Sequence, residues 1–210
     1  MKKLFLLILA GLFVFGCSSQ SPLEKKQQKA KAQSASKIIK QLTKEGWVLD
    51  SKSKSLEEAV LDHKVALEKD ENNMEIIGTS NGASSTGVAR VNSINNASIV
   101  YASLAKKSVL RGVESTNVGL LNGEELNNFV GSYERLVSGT IEKELVPSFS
   151  IYRRDANGKL EYQTYFIVNE VKACQARMRA METALTEAKL SEEFSKTISG
   201  IVKQGFDIEQ

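Results

Sequence analysis

The apolar residues of this chain change period twice, and that change constrains the fold more than any other feature. From Val88 to Ile141 they recur at steps of three and four, as on one face of a helix. Between Phe149 and Val168 they alternate on either side of Asp155-Ala156-Asn157-Gly158, a strong hairpin turn signal. From Val171 the helical period returns. Helices and strands in this mixed order, with one obvious hairpin, predict an α+β fold rather than a doubly wound α/β one. The expected architecture is a small mixed or antiparallel sheet, with a hairpin in the C-terminal half, packed by long amphipathic helices.

The remaining elements follow from local signals. Leu23 to Glu45 contains no breaker and carries an apolar stripe at Ile38, Ile39 and Leu42, so a tether grades into a first helix that Gly46 stops as a C′ glycine. Trp47 to Asp50 reads as a short strand. Ser55 and Glu58 form a capping-box signal for a helix running to about Lys69, with Leu56, Val60, Val65 and Leu67 as its apolar positions. Met74 to Thr79 is a second strand, and Gly78 to Gly87 a loop of turn residues. On the next helix, Val88 to Gly112, the face Val91, Ile94, Ser98, Tyr101, Ala102, Ala105 and Val109 has small residues that would let it lie close to a sheet. Thr116 to Gly123 is a turn region. The helix from Leu126 through Phe129, Tyr133 and Val137 is the clearest amphipathic one and is expected to end by Pro147. Leu160, Tyr162, Thr164, Phe166 and Val168 share one face of the return strand, while Tyr165 and Ile167 predict cover on the other face near its end. Val171, Cys174, Met178, Met181, Leu185 and Ala188 form a heptad-like seam, a candidate interaction surface or else a face packed on the parent domain. Phe194, Ile198 and Ile201 extend the helical pattern beyond a break at Ser191.

The N-terminus predicts an address. Lys2 and Lys3 precede an apolar run from Leu4 to Phe15, shorter than the ~20 residues a membrane span needs. The run closes on Val14-Phe15-Gly16-Cys17, which resembles the lipobox of bacterial lipoproteins, with Phe15 bulkier than is usual at its position. That resemblance implies cleavage after Gly16 and lipid attachment at Cys17, with diacylglycerol on the sulfur and an acyl chain on the amine. The alternative is an ordinary signal peptide with a chance cysteine. Ser18 in place of an Asp favours the outer membrane, and the lack of an acidic cluster after it a periplasm-facing domain. The expected organisation is a signal peptide over 1–16, a lipidated tether over 17–36 and one domain over 37–210. Only Cys174 is then left in that domain, so an internal disulfide is unavailable and the core must hold the fold.

The formal charge of +3 falls to about +1 once Lys2 and Lys3 leave with the signal, and no basic patch interleaved with aromatics appears, so nucleic acid is not an expected partner. No constellation with catalytic or metal-binding spacing stands out, and no cofactor beyond the covalent lipid is expected. His63, the single histidine, sits in Asp62-His63-Lys64 and reads as a solvated side chain. Cys174 reads as a small apolar residue or as one half of an intermolecular disulfide. The Gly78–Gly87 segment follows a strand and precedes a helix but lacks phosphate-loop spacing. Glu57/Glu58, Glu124/Glu125 and Glu192/Glu193 lie near helix starts, where they complement the dipole. Arg153 and Arg154 read as an exposed hairpin tip.

Several segments together resemble the twenty-kilodalton outer-membrane lipoprotein family, which includes flagellar basal-disk lipoproteins. They are Glu45-Gly46-Trp47-Val48-Leu49, Leu56-Glu57-Glu58-Ala59, Ile76-Ile77-Gly78-Thr79-Ser80, Ala97, Tyr101 to Ala105 and Arg111 to Glu114, with the hairpin from Tyr152 to Val168. The likeness covers roughly residues 45–170. It implies a small α+β domain anchored to the outer membrane that associates with other envelope proteins or with itself, and it brings no catalytic residues. The expectation is therefore a non-enzymatic binding or assembly role. One rival is a periplasmic enzyme acting on wall or lipid through carboxylates such as Glu161 or Glu170. The other is a small-ligand or lipid carrier with an apolar cavity lined by Phe149, Phe166 and Phe129.

Overall fold

The computed structural model describes residues 35–115, 123–190 and 192–204. Gly16, Cys17, the leader and most of the tether lie outside the described residues, as do residues 116–122 and Ser191. Helix α1 runs through 35–44, followed by β1 (Val48–Leu49), α2 (Leu56–Glu68), β2 (Asn73–Ala83) and α3 (Thr86–Ser115). Then come α4 (Gly123–Ile141), a 3-10 turn at Glu142–Glu144, the hairpin β3 (Val146–Arg154) and β4 (Leu160–Asn169), α5 (Glu170–Ala188) and α6 (Glu192–Gln204). The fold is α+β, with the four strands forming one antiparallel sheet in the order β1-β3-β4-β2.

Several joints follow the local chemistry read in the sequence. At the end of α1, Gly46 takes φ +78°, Trp47 N–H donates to Leu42 carbonyl at 3.0 Å and Gly46 N–H to Thr43 carbonyl at 3.1 Å. That is a Schellman stop, with Leu42 and Trp47 making its apolar contact inside one cluster. The capping box opens α2: Glu58 N–H donates to Ser55 Oγ and Ser55 N–H to Glu58 Oε2. In the hairpin turn, Asp155 Oδ1 accepts from Asn157 and Lys159 N–H while Gly158 sits at φ +74°.

The sheet divides the molecule. On one face Ile76, Phe166 and Val168 pack under α3, and α4, α5 and α6 complete that main core. On the other face Phe149 and Ile151 pack under α1 and α2 in a separate, smaller cluster with Leu42, Trp47 and Val60. Alternation along β4 puts Tyr162, Thr164, Phe166 and Val168 on the α3 side, all buried, and leaves Tyr165 half-buried on the other, stacked on Phe149 at 4.3 Å.

Four local expectations need correction. The stretch from Gly78 is strand rather than loop, and β2 continues to Ala83. The glycines there serve the sheet. A Cβ at Gly78 would stand 1.9 Å from Ser93 carbonyl oxygen, so the missing side chain is what lets α3 lie against the strand. Gly82, at φ +76°, occupies a bulge between Asn81 and Ala83. Helix α4 ends at Ile141, before Pro147 as expected, but Pro147 is not what stops it: it lies inside β3, next to a register shift between Pro147 and Phe149. Val65 and Val91, read as buried, are exposed, and their helices turn Ala59, Val60 and His63, and Ala89, Ser93 and Ala97, inward. The seam of α5 is split as well. The buried face is Ala173, Ala176, Arg177, Ala180, Met181 and Ala184, because small residues let α5 approach α4. Met178 and Leu185 pack at its margin, Cys174 is half-buried and Val171 is exposed.

Candidate functional site

Strand β1 is two residues long, so it covers only the far half of β3. Its last contact is Asp50 N–H donating to Ser150 carbonyl at 2.8 Å. The near half, Val146 to Ser148, is exposed on that side. Strand pairing ends at Asp50, and residues 51–54 lead from there to the start of α2. A cleft of about 410 Å³ opens between this loop, α2, the uncovered part of β3 and the N-terminal half of α3. Phe149, Phe166, Ile94 and Pro147 supply its apolar surface.

A connected polar network runs into the cleft from the core side of the sheet. Ser93 Oγ donates to Arg90 carbonyl at 2.8 Å and lies 2.8 Å from Thr164 Oγ1, which lies 3.0 Å from Ser150 Oγ. Each hydroxyl owns one proton. With the Ser93 proton committed to the carbonyl, Thr164 must donate to Ser93, and Ser150 then donates to Thr164. Beside it, Tyr162 O–H donates to Asp50 Oδ2 at 2.6 Å, and Arg90 reaches Asp50 Oδ2 at 2.9 Å and the Tyr162 oxygen at 3.4 Å. Burial and the Asp50 carboxylate both hold the Tyr162 phenol above its ordinary pKa, so it stays a donor at neutral pH. On the opposite wall Lys54 pairs with Asp62. The cleft thus combines an apolar floor with two mutually neutralised ion pairs and a row of hydroxyls.

The carboxylates nominated for chemistry are placed apart. Glu161 accepts from Arg153 at 2.5 Å, and Arg153 also lies 4.6 Å above the Trp47 ring, so Arg153 is held at the α1–β1 junction and is no exposed tip. Arg154 alone stays on the surface, donating to Gly158 carbonyl. Glu170 pairs with Arg177 at 2.5 Å at the far end of the sheet. Arg177 is only 2% exposed and also donates to Tyr101 O–H, whose oxygen lies 3.0 Å from Glu170 Oε1. Burial keeps Tyr101 a neutral phenol, its pKa pushed far up. Phe149 and Phe166 meet at the cleft, but Phe129 is buried elsewhere, against Tyr133 and Phe194, so the three expected cavity-lining rings do not converge.

His63, expected in solvent, is 1% exposed. Its Nε2 lies 2.5 Å from Glu75 Oε2 on β2, and its ring meets Phe149 and Tyr165 edge-on at 5.4 and 5.8 Å. The hydrogen bond from His63 holds the Glu75 carboxyl below its ordinary value against the opposing effect of burial. Among the described residues no group of three or more His, Cys, Asp or Glu side chains is arranged to hold a metal ion, and no helix is long and apolar enough to cross a membrane. Arg90, Asp50 and Ser150 carried no motif; only the period-two placement of Tyr162 and Thr164 on one face of β4 pointed toward their neighbourhood.

Fold and cleft together define a class: a small three-layer α+β domain with a mixed polar and apolar groove at the blunt edge of its sheet. Compared with protein-family models, with curated proteins and with solved structures, the chain matches none.

Proposed function

We propose that this chain is a lipid-anchored protein of the bacterial envelope that works by binding, tied to the outer membrane through Cys17 and presenting the cleft beside β3 to the periplasm. The anchor rests on the basic start, the apolar run and the Val14-Phe15-Gly16-Cys17 ending. The observation that carries the binding role is the state of the nominated carboxylates. Glu161 and Glu170 are each committed to an arginine at 2.5 Å, at separate places, while the cleft offers apolar surface, hydroxyls and paired charges of both signs. Such a surface suits recognition of an amphipathic partner. The likeness of residues 45–170 to the twenty-kilodalton outer-membrane lipoproteins agrees with an associating, non-catalytic role.

Two measurements test the parts separately. Cys17→Ala is expected to abolish fatty-acid labelling and move the chain out of the membrane fraction; undiminished labelling would sink the anchor. A photo-crosslinking residue at Ser53, on the cleft rim, is expected to give a discrete adduct in intact cells that the same probe at Val65, exposed on α2, does not. Identical patterns at both positions, or none at Ser53, would remove the cleft as the binding surface.

A further inference from the structure

The two edges of the sheet are built differently. One is finished by the two-residue β1 and by Pro147, which has no N–H to offer. The other is β2, eleven residues long, without proline or lysine, and with Glu75 its only charged residue. The direction of its backbone groups is fixed by three bonds. Asn72 carbonyl accepts inward from Glu170 N–H, while Asn73 N–H turns out to Asp70 carbonyl and Thr79 N–H to Asn96 Oδ1 at 2.9 Å. The odd-numbered residues therefore face away from β4. Of their amides, those of Asn73 and Thr79 are occupied within the chain, and Glu75 and Ile77, between them, point out of the sheet.

Helix α3 lies above this edge, and Asn96 marks the flank that overhangs it. Ile99, Val100 and Ser103 follow Asn96 at helical spacings of three, four and seven, so they share that flank. Ile99 is 57% exposed and Val100 36%. Among the described residues the Glu75 and Ile77 amides meet no acceptor, and an apolar helix flank lies beside them, each incomplete alone.

We propose that β2 is the contact through which a second copy of this chain binds, antiparallel, extending the sheet across a two-fold axis at Ile76. The register follows from which amides are occupied. An axis at Ile76 sets Glu75 of each copy against Ile77 of the other, and two such pairs exchange four backbone hydrogen bonds while leaving Asn73 and Thr79 with their own acceptors. It also sets Glu75, already paired with His63, beside an apolar neighbour instead of its own image, so no like charges meet across the strands. The same faces stay on the same side, so the α3 flanks meet above the junction and Ile99 and Val100 lose their exposure. Four backbone bonds alone fall short of a stable interface of ~1,200 Å² or more; the helix flank supplies the remaining contact. This inference does not depend on the cleft or on the anchor.

The test uses the full chain in mild detergent, with its mass followed over concentration and amide exchange read residue by residue. The expected result is a dimer in which the Glu75 and Ile77 amides become protected as concentration rises, and a dissociation constant weakened about tenfold or more by Ile99→Lys. That position is on the surface, so folding is checked by an unchanged circular dichroism spectrum and melting curve at low concentration. A chain that stays monomeric throughout overturns the proposal. So does a dimer whose Glu75 and Ile77 amides exchange as freely as in the monomer, since its contact would lie elsewhere.

Discussion

A carboxylate can only accept, so in the contact between His63 and Glu75 the proton belongs to the imidazole Nε2. This bond crosses from α2 to β2 and holds the Glu75 carboxyl below its ordinary 4.5, working against burial. A group with a depressed folded pKa adds stability that is present above the unfolded value and is lost as pH falls through the folded one. The wild-type chain should therefore exceed Glu75→Gln in urea midpoint at about pH 7, and the gap should close as pH drops below about 4.5. A gap that holds constant into that acid range would mean the charge of Glu75 contributes nothing. The burial of His63 was partly legible. Its neighbours Asp62 and Lys64 suggested solvent, yet steps of three and four from Val60 and Ala59 land on His63, and the same count from Val60 misses Val65. Helical phase, which puts Ala59, Val60 and His63 on one buried face, outweighs the adjacent charges.

Between elements, the contact of α3, α4 and α5 turns on one buried arginine. Ala173, Ala176, Ala180 and Ala184 bring α5 close to α4, and Arg177 stands in the middle of that small-residue face, bound to Tyr101 of α3 and to Glu170. Removing one member of such a pair strands the other charge in the interior. Arg177→Ala should cost about 3–5 kcal/mol of unfolding free energy by denaturant titration. Arg177→Met combined with Glu170→Gln should cost much less, because no unpaired charge remains. Equal losses would show that side-chain volume, and not charge, decides this site. Nothing in the local sequence announced the cluster. Periodicity reports apolar positions, and its heptad reading followed the large residues Met178, Met181 and Leu185, whereas close helix approach selected the alanines. The long amphipathic helices and the hairpin were legible because their signals lie within a few residues. The cleft joins Asp50, Arg90, Ser150 and Thr164 across more than a hundred positions, and no local pattern links them.

For the whole molecule, the separation of the two larger apolar clusters, on opposite faces of the sheet, matters most. The α3–α6 side contains most of the large buried side chains, among them Tyr101, Phe129, Tyr133 and Phe194. The α1–α2 side rests on a few contacts around Trp47, Val60, Phe149 and Ile151, with the His63–Glu75 bond as its buried polar tie. Opening free energy follows the apolar contact each unit would lose. Native-state hydrogen exchange should therefore show α2 amides exchanging through a lower-energy opening than those of α3 and β4. If all of them exchange only with global unfolding, the two layers form one cooperative unit.

The unequal edges carry a last consequence. Growth of a β-structure into a fibre needs a donor surface at both ends of each unit, and this sheet has only one. Pro147 and the stub of β1 leave nothing on the far side to template a third molecule. Whatever adds to β2, propagation ends with that addition, so the chain has a built-in limit on aggregation through its own sheet.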